Sequence, residues 1–181
     1  MKTKIFTECM LNEEFQLFIN YMLSAGKVNF FDANLLHIME TVKLQEGLSF
    51  YEYFFKGFNN GYCGFTCMLL SLLFENCELV VGKNKYLKGT ENSPNGEHMW
   101  LNVDGRTYDT SLGLVYSSGN GLGYEENVRL TKEELLKCDE YRLLNGLLLN
   151  QEPLLFQEET TNQVMKFILE SSINKSESKL I

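Results

Sequence analysis

Three residue types that cooperate in thiol catalysis occur in order in the middle of the chain: Cys63, His98 and Asp109. A thiolate can attack a carbonyl carbon, an imidazole can take up and return the proton, and a carboxylate can hold the imidazole in one tautomer. The chain contains only 2 histidines, so the base of such a site is His98 or His37. The order and the flanking residues favour a cysteine nucleophile with His98 as base and Asp109 as the orienting group.

The surroundings of Cys63 favour a reactive thiol. The apolar segment that follows has no Pro or Gly after Gly64 and predicts a buried helix over Cys63–Asn76. The unpaired N–H groups and the dipole at a helix start lower the pKa of a thiol placed there. Gly61 and Gly64 would let a substrate carbonyl approach the backbone closely, and the Cys63 N–H could donate one hydrogen bond of an oxyanion hole.

A turn signal brings His98 towards Asp109. Asp104-Gly105 favours a two-residue type I′ turn between antiparallel strands. The two strands are expected at His98–Val103 and Arg106–Thr110. In the register that this turn sets, Trp100 faces Asp109, so the carboxylate lies one strand away from the neighbourhood of the imidazole.

Helical patterns occupy the first third of the chain and recur near its end. The predicted helices are Glu13–Ser24, a segment opened by Asp32, a short one opened by Ser49, one opened by a capping box at Thr131, and Thr160–Ser171. Leu143–Leu149 fits either a strand or a buried helix. The polar tail, residues 174–181, is expected to fray.

One further strand pair and two loops complete the local patterns. Leu79–Val81 is β-prone and is expected to pair with Lys85–Lys88 across a turn at Gly82–Asn84. Thr90–Gly96 and Ser117–Gly123 are expected to be loops, and the second lacks the flanking strand, helix and lysine of a phosphate loop.

Length and composition predict a single packed domain over residues 1–181, with its core motif region at 59–117. Hydrophobic residues make up 44% of the chain and charged residues 22%, which is typical of a globular protein. The formal net charge is -8 and the basic residues form no stripe, so nucleic acid is not an expected partner. An acidic surface of this kind could steer a basic peptide or protein substrate.

Cysteine usage and hydropathy favour a cytoplasmic protein. The 5 cysteines are an odd number, and a reducing compartment is the simpler interpretation. The N-terminal residues lack the apolar run of a secretory signal, and no apolar stretch reaches the roughly 18 residues that a membrane span needs. No membrane contact is expected, although export that needs no cleaved signal would leave no trace in the sequence. The oligomeric state is not determined by these patterns.

The same residues resemble the transglutaminase-like superfamily, whose members have a papain-like α+β fold. The family pattern G-x-C-x-x-x-A-x-L-L-x-x-L-L is matched by Gly61, Tyr62, Cys63, Cys67, Leu69, Leu70, Leu72 and Leu73. The pattern H-x-W-x-x-V, followed by x-D-x-[ST], is matched by His98, Trp100, Val103, Asp109 and Ser111. Cys67 stands where the family usually has Ala, and Thr110 stands where it has Pro.

The resemblance implies N-terminal helices and a nucleophile-bearing helix packed on a small antiparallel sheet. It implies that Cys63, His98 and Asp109 form the triad of an enzyme that needs no cofactor and transfers an acyl group from an amide. Peptidase, deamidase and transglutaminase activities are not distinguished. Asn60 and Gln45 are the candidates for a second oxyanion-hole donor, and Tyr62, Gly64 and Trp100 are the candidates for the substrate groove.

Two of the residues have simpler interpretations. Cys67 lies one helical turn beyond Cys63 and is expected to be a small buried core residue, because free cysteine packs as a small hydrophobe. His37 lies among apolar residues with no nearby Cys or acid in the motif sense, and it is expected to be a helix-surface or partly buried imidazole.

Two rival functions remain open. A zinc site would draw on Cys63, Cys67, Cys77 and His98, but only one closely spaced cysteine pair exists, on an apolar helix. A non-catalytic binding domain that keeps the fold would have a Cys63 no more reactive than Cys9 or Cys138.

Overall fold

A computed structural model describes residues 21, 28–30, 63–85, 87–89, 93–109, 114–117, 123–152 and 158–178. The strands are β1 (Val28–Phe30), β2 (Glu78–Asn84), β3 (Glu97–Val103), β4 (Arg106–Asp109), β5 (Leu114–Ser117) and β6 (Tyr124–Thr131). The helices are α1 (Cys63–Leu72), α2 (Lys132–Leu135), α3 (Asp139–Leu149) and α4 (Glu158–Ser178). Within these ranges all strand pairs are antiparallel and form one sheet in the order β1-β5-β4-β3-β2-β6. The predicted α+β class is confirmed.

The central hairpin of β3 and β4 is the one that the sequence predicts. Leu101 pairs with Tyr108, as a two-residue loop requires. Asp104 has φ 50° and Gly105 has φ 73°, and both positive values are those of a type I′ turn. Because β3 and β4 lie between β5 and β2 in the sheet, the hairpin is supported on both sides.

Strand β2 corrects the prediction of a turn at Gly82–Asn84. The strand continues through these residues and pairs with β3 on one side and β6 on the other, so Lys85–Lys88 is not its partner. The register against β6 shifts between Val81 and Gly82, and a β-bulge of this kind is a common place for a strand glycine. A Cβ at Gly82 would collide with the Glu125 carbonyl oxygen and lie 2.7 Å from the Trp100 ring.

We expect Gly82→Ala to lower the free energy of unfolding by about 1–3 kcal/mol, because the methyl group would displace the β6 backbone or an aromatic ring. Gly146→Ala is the matched control, since nothing lies within 4 Å of its added Cβ. Inside α3 that change should stabilise the protein by about 0.5–1 kcal/mol. Urea denaturation followed by circular dichroism measures both. Equal midpoints for the two variants would show that the bulge tolerates a side chain.

Helix α1 packs against β3 and joins the hydrophobic core. The fully buried apolar residues of this layer are Cys67, Met68, Leu69, Leu70, Leu79 and Leu101. The helix ends at Leu72, earlier than predicted, where the Lys132 ammonium donates hydrogen bonds to the carbonyl oxygens of Ser71 at 2.8 Å and Phe74 at 3.0 Å. A cation at this end interacts favourably with the helix dipole and satisfies terminal carbonyls. Lys132 thus fixes the end of α1 that is opposite Cys63.

The C-terminal third is helical and differs in detail from the prediction. The capping box at Thr131 is confirmed, with its side chain accepting the Glu134 N–H and the Glu134 carboxylate accepting the Thr131 N–H. Leu143–Leu149 belongs to α3, which confirms the helix alternative, and it is buried on one side only: Leu144 is in the core, whereas Leu143 is 57% and Leu149 75% exposed. Helix α4 continues to Ser178, so the expected fraying from residue 174 is wrong up to that point.

Three strands were not predicted. β1 lies in the part of the chain with helical periodicity, and β5 and β6 flank the expected Gly-rich loop. The helices predicted in the first third fall outside the described residues, apart from Tyr21, which is helical. Among the helices that the structure describes, none combines the length and apolar character needed to cross a bilayer.

Candidate active site

Cys63 is the first residue of α1 and is half-buried, at the helix start that the sequence predicts. Burial raises the pKa of its thiol, but a hydrogen bond and the positive charge of His98 more than compensate. A hydrogen bond with the Met99 backbone acts in the same direction, and the pKa of Cys63 lies below its ordinary value. Cys63 therefore ionises more readily than an ordinary cysteine.

His98 lies on β3 and is held by Asp109 of β4. The distance from His98 Nε2 to Asp109 Oδ2 is 2.8 Å, and the two residues are only 3% and 1% exposed. With Nε2 donating to the carboxylate, Nδ1 is left for Cys63, with which the imidazole also shares a hydrogen bond. The hairpin thus brings His98 and Asp109 into contact, as predicted.

The protonated imidazole is the favoured form of His98. Burial acts against its charge, but the negative charge of Asp109 and the hydrogen bonds to Asp109 and Cys63 raise the pKa of His98 well above its ordinary value. The proton shared by Cys63 and His98 is therefore held mainly by the ring, and the titration belongs to the pair. A thiolate beside an imidazolium is the reactive form of a cysteine nucleophile.

Asp109 has a second donor that the sequence patterns did not single out. The Tyr124 hydroxyl, at the start of β6, donates a hydrogen bond to Asp109 Oδ2, the oxygen that also accepts from His98. Tyr124 follows a Gly-rich stretch and carries no local motif, so only the pairing of β6 with β2 could have placed it here.

Two candidates for the substrate groove, Trp100 and Gly64, are buried. The Trp100 ring stacks against His98 with centroids 6.0 Å apart. A Cβ at Gly64 would lie 2.6 Å from the terminal methyl of Met165 and 2.9 Å from the sulfur of Met99. These contacts place both residues in the packing around the site and not on an open groove.

Five sequence candidates fall outside the residues that the structure describes. They are Gln45, Asn60, Gly61, Tyr62 and the alternative base His37. The second oxyanion-hole donor and the groove residue Tyr62 therefore stay predictions.

Cys67 and Cys77 are buried and show no sign of a reactive thiol. Cys67 is fully buried and donates from Sγ to the Met99 carbonyl oxygen at 3.1 Å, which confirms it as a core residue. Burial raises the pKa of the Cys77 thiol to about 11, so this cysteine is protonated at neutral pH. Over the described ranges, which include all four residues of the rival zinc set, no group of three or more His, Cys, Asp or Glu side chains is arranged to hold a metal ion.

The chemistry of the arrangement is nucleophilic attack followed by proton return. The thiolate can attack an electrophilic carbon, the imidazolium can protonate the group that leaves, and the buried carboxylate keeps the ring in place throughout. Comparison of the chain with protein-family models, with curated proteins and with solved structures found no match.

Proposed function

We propose that this protein is a cysteine-dependent acyl-transfer enzyme that acts on an amide, either a peptide bond or a glutamine side chain of a protein or peptide. The observation that carries the proposal is the chain of contacts from Cys63 to His98 to the buried Asp109. The resemblance of the flanking motifs to the transglutaminase-like superfamily supports the same chemistry and a papain-like arrangement of the α+β fold.

In the first half of the reaction the Cys63 sulfur bonds to the amide carbon. The carbonyl oxygen becomes an oxyanion, to which the Cys63 N–H at the start of α1 can donate. His98 gives its proton to the departing nitrogen, the C–N bond breaks, and ammonia or an amine leaves a thioester on Cys63.

In the second half an acceptor resolves the thioester. The now neutral His98 removes a proton from water or from an amine as it attacks, and the C–S bond breaks to restore the thiolate. Water yields a carboxylic acid and an amine yields a new amide, so the acceptor separates hydrolysis and deamidation from transamidation. Asp109 holds the ring in one tautomer through both halves.

Selective alkylation of Cys63 tests the proposal without a known substrate. Because the pKa of Cys63 is lowered and that of His98 is raised, the reactive pair should persist on the acidic side of the ordinary thiol range. At pH 6 an unperturbed thiol is only about 0.3% ionised, so Cys63, whose pKa is lowered, should react with iodoacetamide faster than such a thiol at this pH. Peptide mass spectrometry across pH 4–10 measures the rate at each cysteine.

The expected rate rises as pH passes upward through the lowered pKa of Cys63, and His98→Ala should remove this acidic reactivity. Cysteines alkylated in the denatured protein provide the reference rate. Equal rates at every accessible cysteine, in the wild type and in His98→Ala, would contradict the proposal and would favour the non-catalytic binding domain.

A screen for the reaction itself completes the test. The protein is incubated with peptides and with glutamine-containing proteins, with and without a small primary amine. Mass spectrometry then distinguishes backbone cleavage, conversion of an amide to an acid and addition of the amine. A product that depends on Cys63 would identify the acceptor.

A further inference from the structure

Tyr124 reaches the Asp109 carboxylate from the far end of the described strand order. It begins β6, which is the last of the described strands in the sheet order, whereas Asp109 ends β4, three strands away in the order β4-β3-β2-β6. Its hydroxyl nevertheless donates to Asp109 Oδ2. A side chain that spans two intervening strands to bond one buried oxygen needs a structural explanation.

The explanation lies in the surface between the two residues. Gly82 of β2 stands opposite His98 in the register, and its lack of a side chain leaves room for the Trp100 ring. The Tyr124 ring contacts Trp100 edge-on, with centroids 4.8 Å apart at 71°, and lies 6.0 Å from the His98 ring. The rings of His98, Trp100 and Tyr124 therefore form a layer on the sheet, and Tyr124 packs in this layer with its hydroxyl beside Asp109.

We propose that Tyr124 is a positioning residue of the catalytic site, whose hydroxyl locks the Asp109 carboxylate in the orientation that holds His98 against Cys63. This inference rests on the proposed function and adds a fourth member to its hydrogen-bonded chain. Tyr124 acts through Asp109 and needs no contact with the substrate.

The physical basis is the sharing of one oxygen by two donors. Each hydrogen bond that a carboxylate accepts restricts rotation about its side-chain torsions, and the direction of the imidazole that it holds is restricted with it. A second hydrogen bond, from a ring that is itself packed against Trp100, removes that freedom. The imidazolium is thereby kept where its charge stabilises the Cys63 thiolate.

Tyr124→Phe tests the inference because it removes the hydroxyl and keeps the ring contacts. We expect the acidic limb of Cys63 alkylation to move to higher pH, with a rate on that limb roughly tenfold lower, which corresponds to the loss of one hydrogen bond to a charged group. The matched control is Tyr141→Phe, which removes a buried hydroxyl bonded to Ser71 Oγ at 2.7 Å in the core. The control should keep the wild-type pH profile.

A second readout reports on the imidazole directly. Because the chain has only two histidines, the nitrogen-15 signals of His98 can be followed against His37 as an internal reference. Tyr124→Phe should shift the His98 signals and their titration and leave those of His37 unchanged. Thermal melts of all variants by circular dichroism check that the fold is kept.

The possible outcomes separate the two proposals. If wild-type Cys63 is not selectively alkylated, the proposed function fails, whereas the His98 signals still decide whether Tyr124 positions the ring. An unchanged profile and unchanged His98 signals in a folded Tyr124→Phe overturn the role of Tyr124 alone. A Tyr124→Phe protein that does not fold also overturns it, because the hydroxyl would then serve stability and not the site.

Discussion

Replacement of Cys63 by serine should reduce turnover of any amide substrate by on the order of 10⁴-fold or more, the size of effect seen when a nucleophile of a triad is removed. The variant differs by one atom, but a serine hydroxyl does not ionise beside His98 as the thiol does. The thiolate that the lowered pKa of Cys63 favours is therefore lost. The measurement is kcat on a substrate identified by the mass-spectrometric screen, together with a search for the thioester on Cys63 in the wild type.

Cys138→Ser is the matched control for this prediction. Cys138 is buried at the N-cap position of α3, and serine is a favoured N-cap residue, so the helix should keep its start. The control should retain wild-type kcat. Comparable activity in Cys63→Ser would contradict the assignment of the nucleophile.

Asp109→Asn should lower kcat by on the order of 10³–10⁴-fold, because an amide can donate to the ring and favour the wrong imidazole tautomer. The change also removes the charge that raises the pKa of His98, while the burial that lowers it remains. His98 then loses its proton at lower pH, and the acidic alkylation of Cys63 should disappear with it. The pH profiles of kcat and of alkylation measure the two effects.

Replacement of Asp109 by alanine should lower the free energy of unfolding. Asp109→Ala would leave buried His98 without its ion partner and remove the acceptor of the Tyr124 hydroxyl. A loss of about 3–5 kcal/mol in the free energy of unfolding is expected when one partner of a buried pair is removed. Urea denaturation at pH 6 and pH 8 gives this value.

The control removes an equal charge from the surface. Asp139 forms an exposed ion pair with Arg142, and exposed pairs contribute about 0–1 kcal/mol. Asp139→Asn should therefore keep the wild-type kcat and change the free energy of unfolding by no more than about 1 kcal/mol. If Asp109→Asn behaved like Asp139→Asn, the carboxylate would have no role in orienting His98.

The features that the sequence predicted are those set by neighbours along the chain. Asp104-Gly105 fixes a hairpin within a few residues, and that hairpin alone is enough to bring His98 to Asp109. The capping box at Thr131 is equally local. The helical start at Cys63 follows from the largely apolar segment after it, which has no Pro and no Gly beyond Gly64.

The features that it missed depend on contacts between distant parts of the chain. Gly82 has the sequence appearance of a turn residue, and only the approach of β6 and the Trp100 ring explains a glycine inside a strand. Strand β6 and Tyr124 become recognisable only once β6 is paired with β2. Strand β1 is short and gains its backbone partners from β5, more than 80 residues later in the chain.

The order of the strands has a consequence for how the site would respond to partial opening of the fold. Local opening of a protein begins at edges and termini, whereas interior strands are released only near global unfolding. His98 and Asp109 lie on the two inner strands β3 and β4, so their contact should be lost only when the sheet itself unfolds. Tyr124 begins β6, which is last in the described strand order, so its hydrogen bond to Asp109 should open more readily than the contact between His98 and Asp109. Loss of the Tyr124 hydrogen bond would therefore weaken the site while His98 and Asp109 stay in contact.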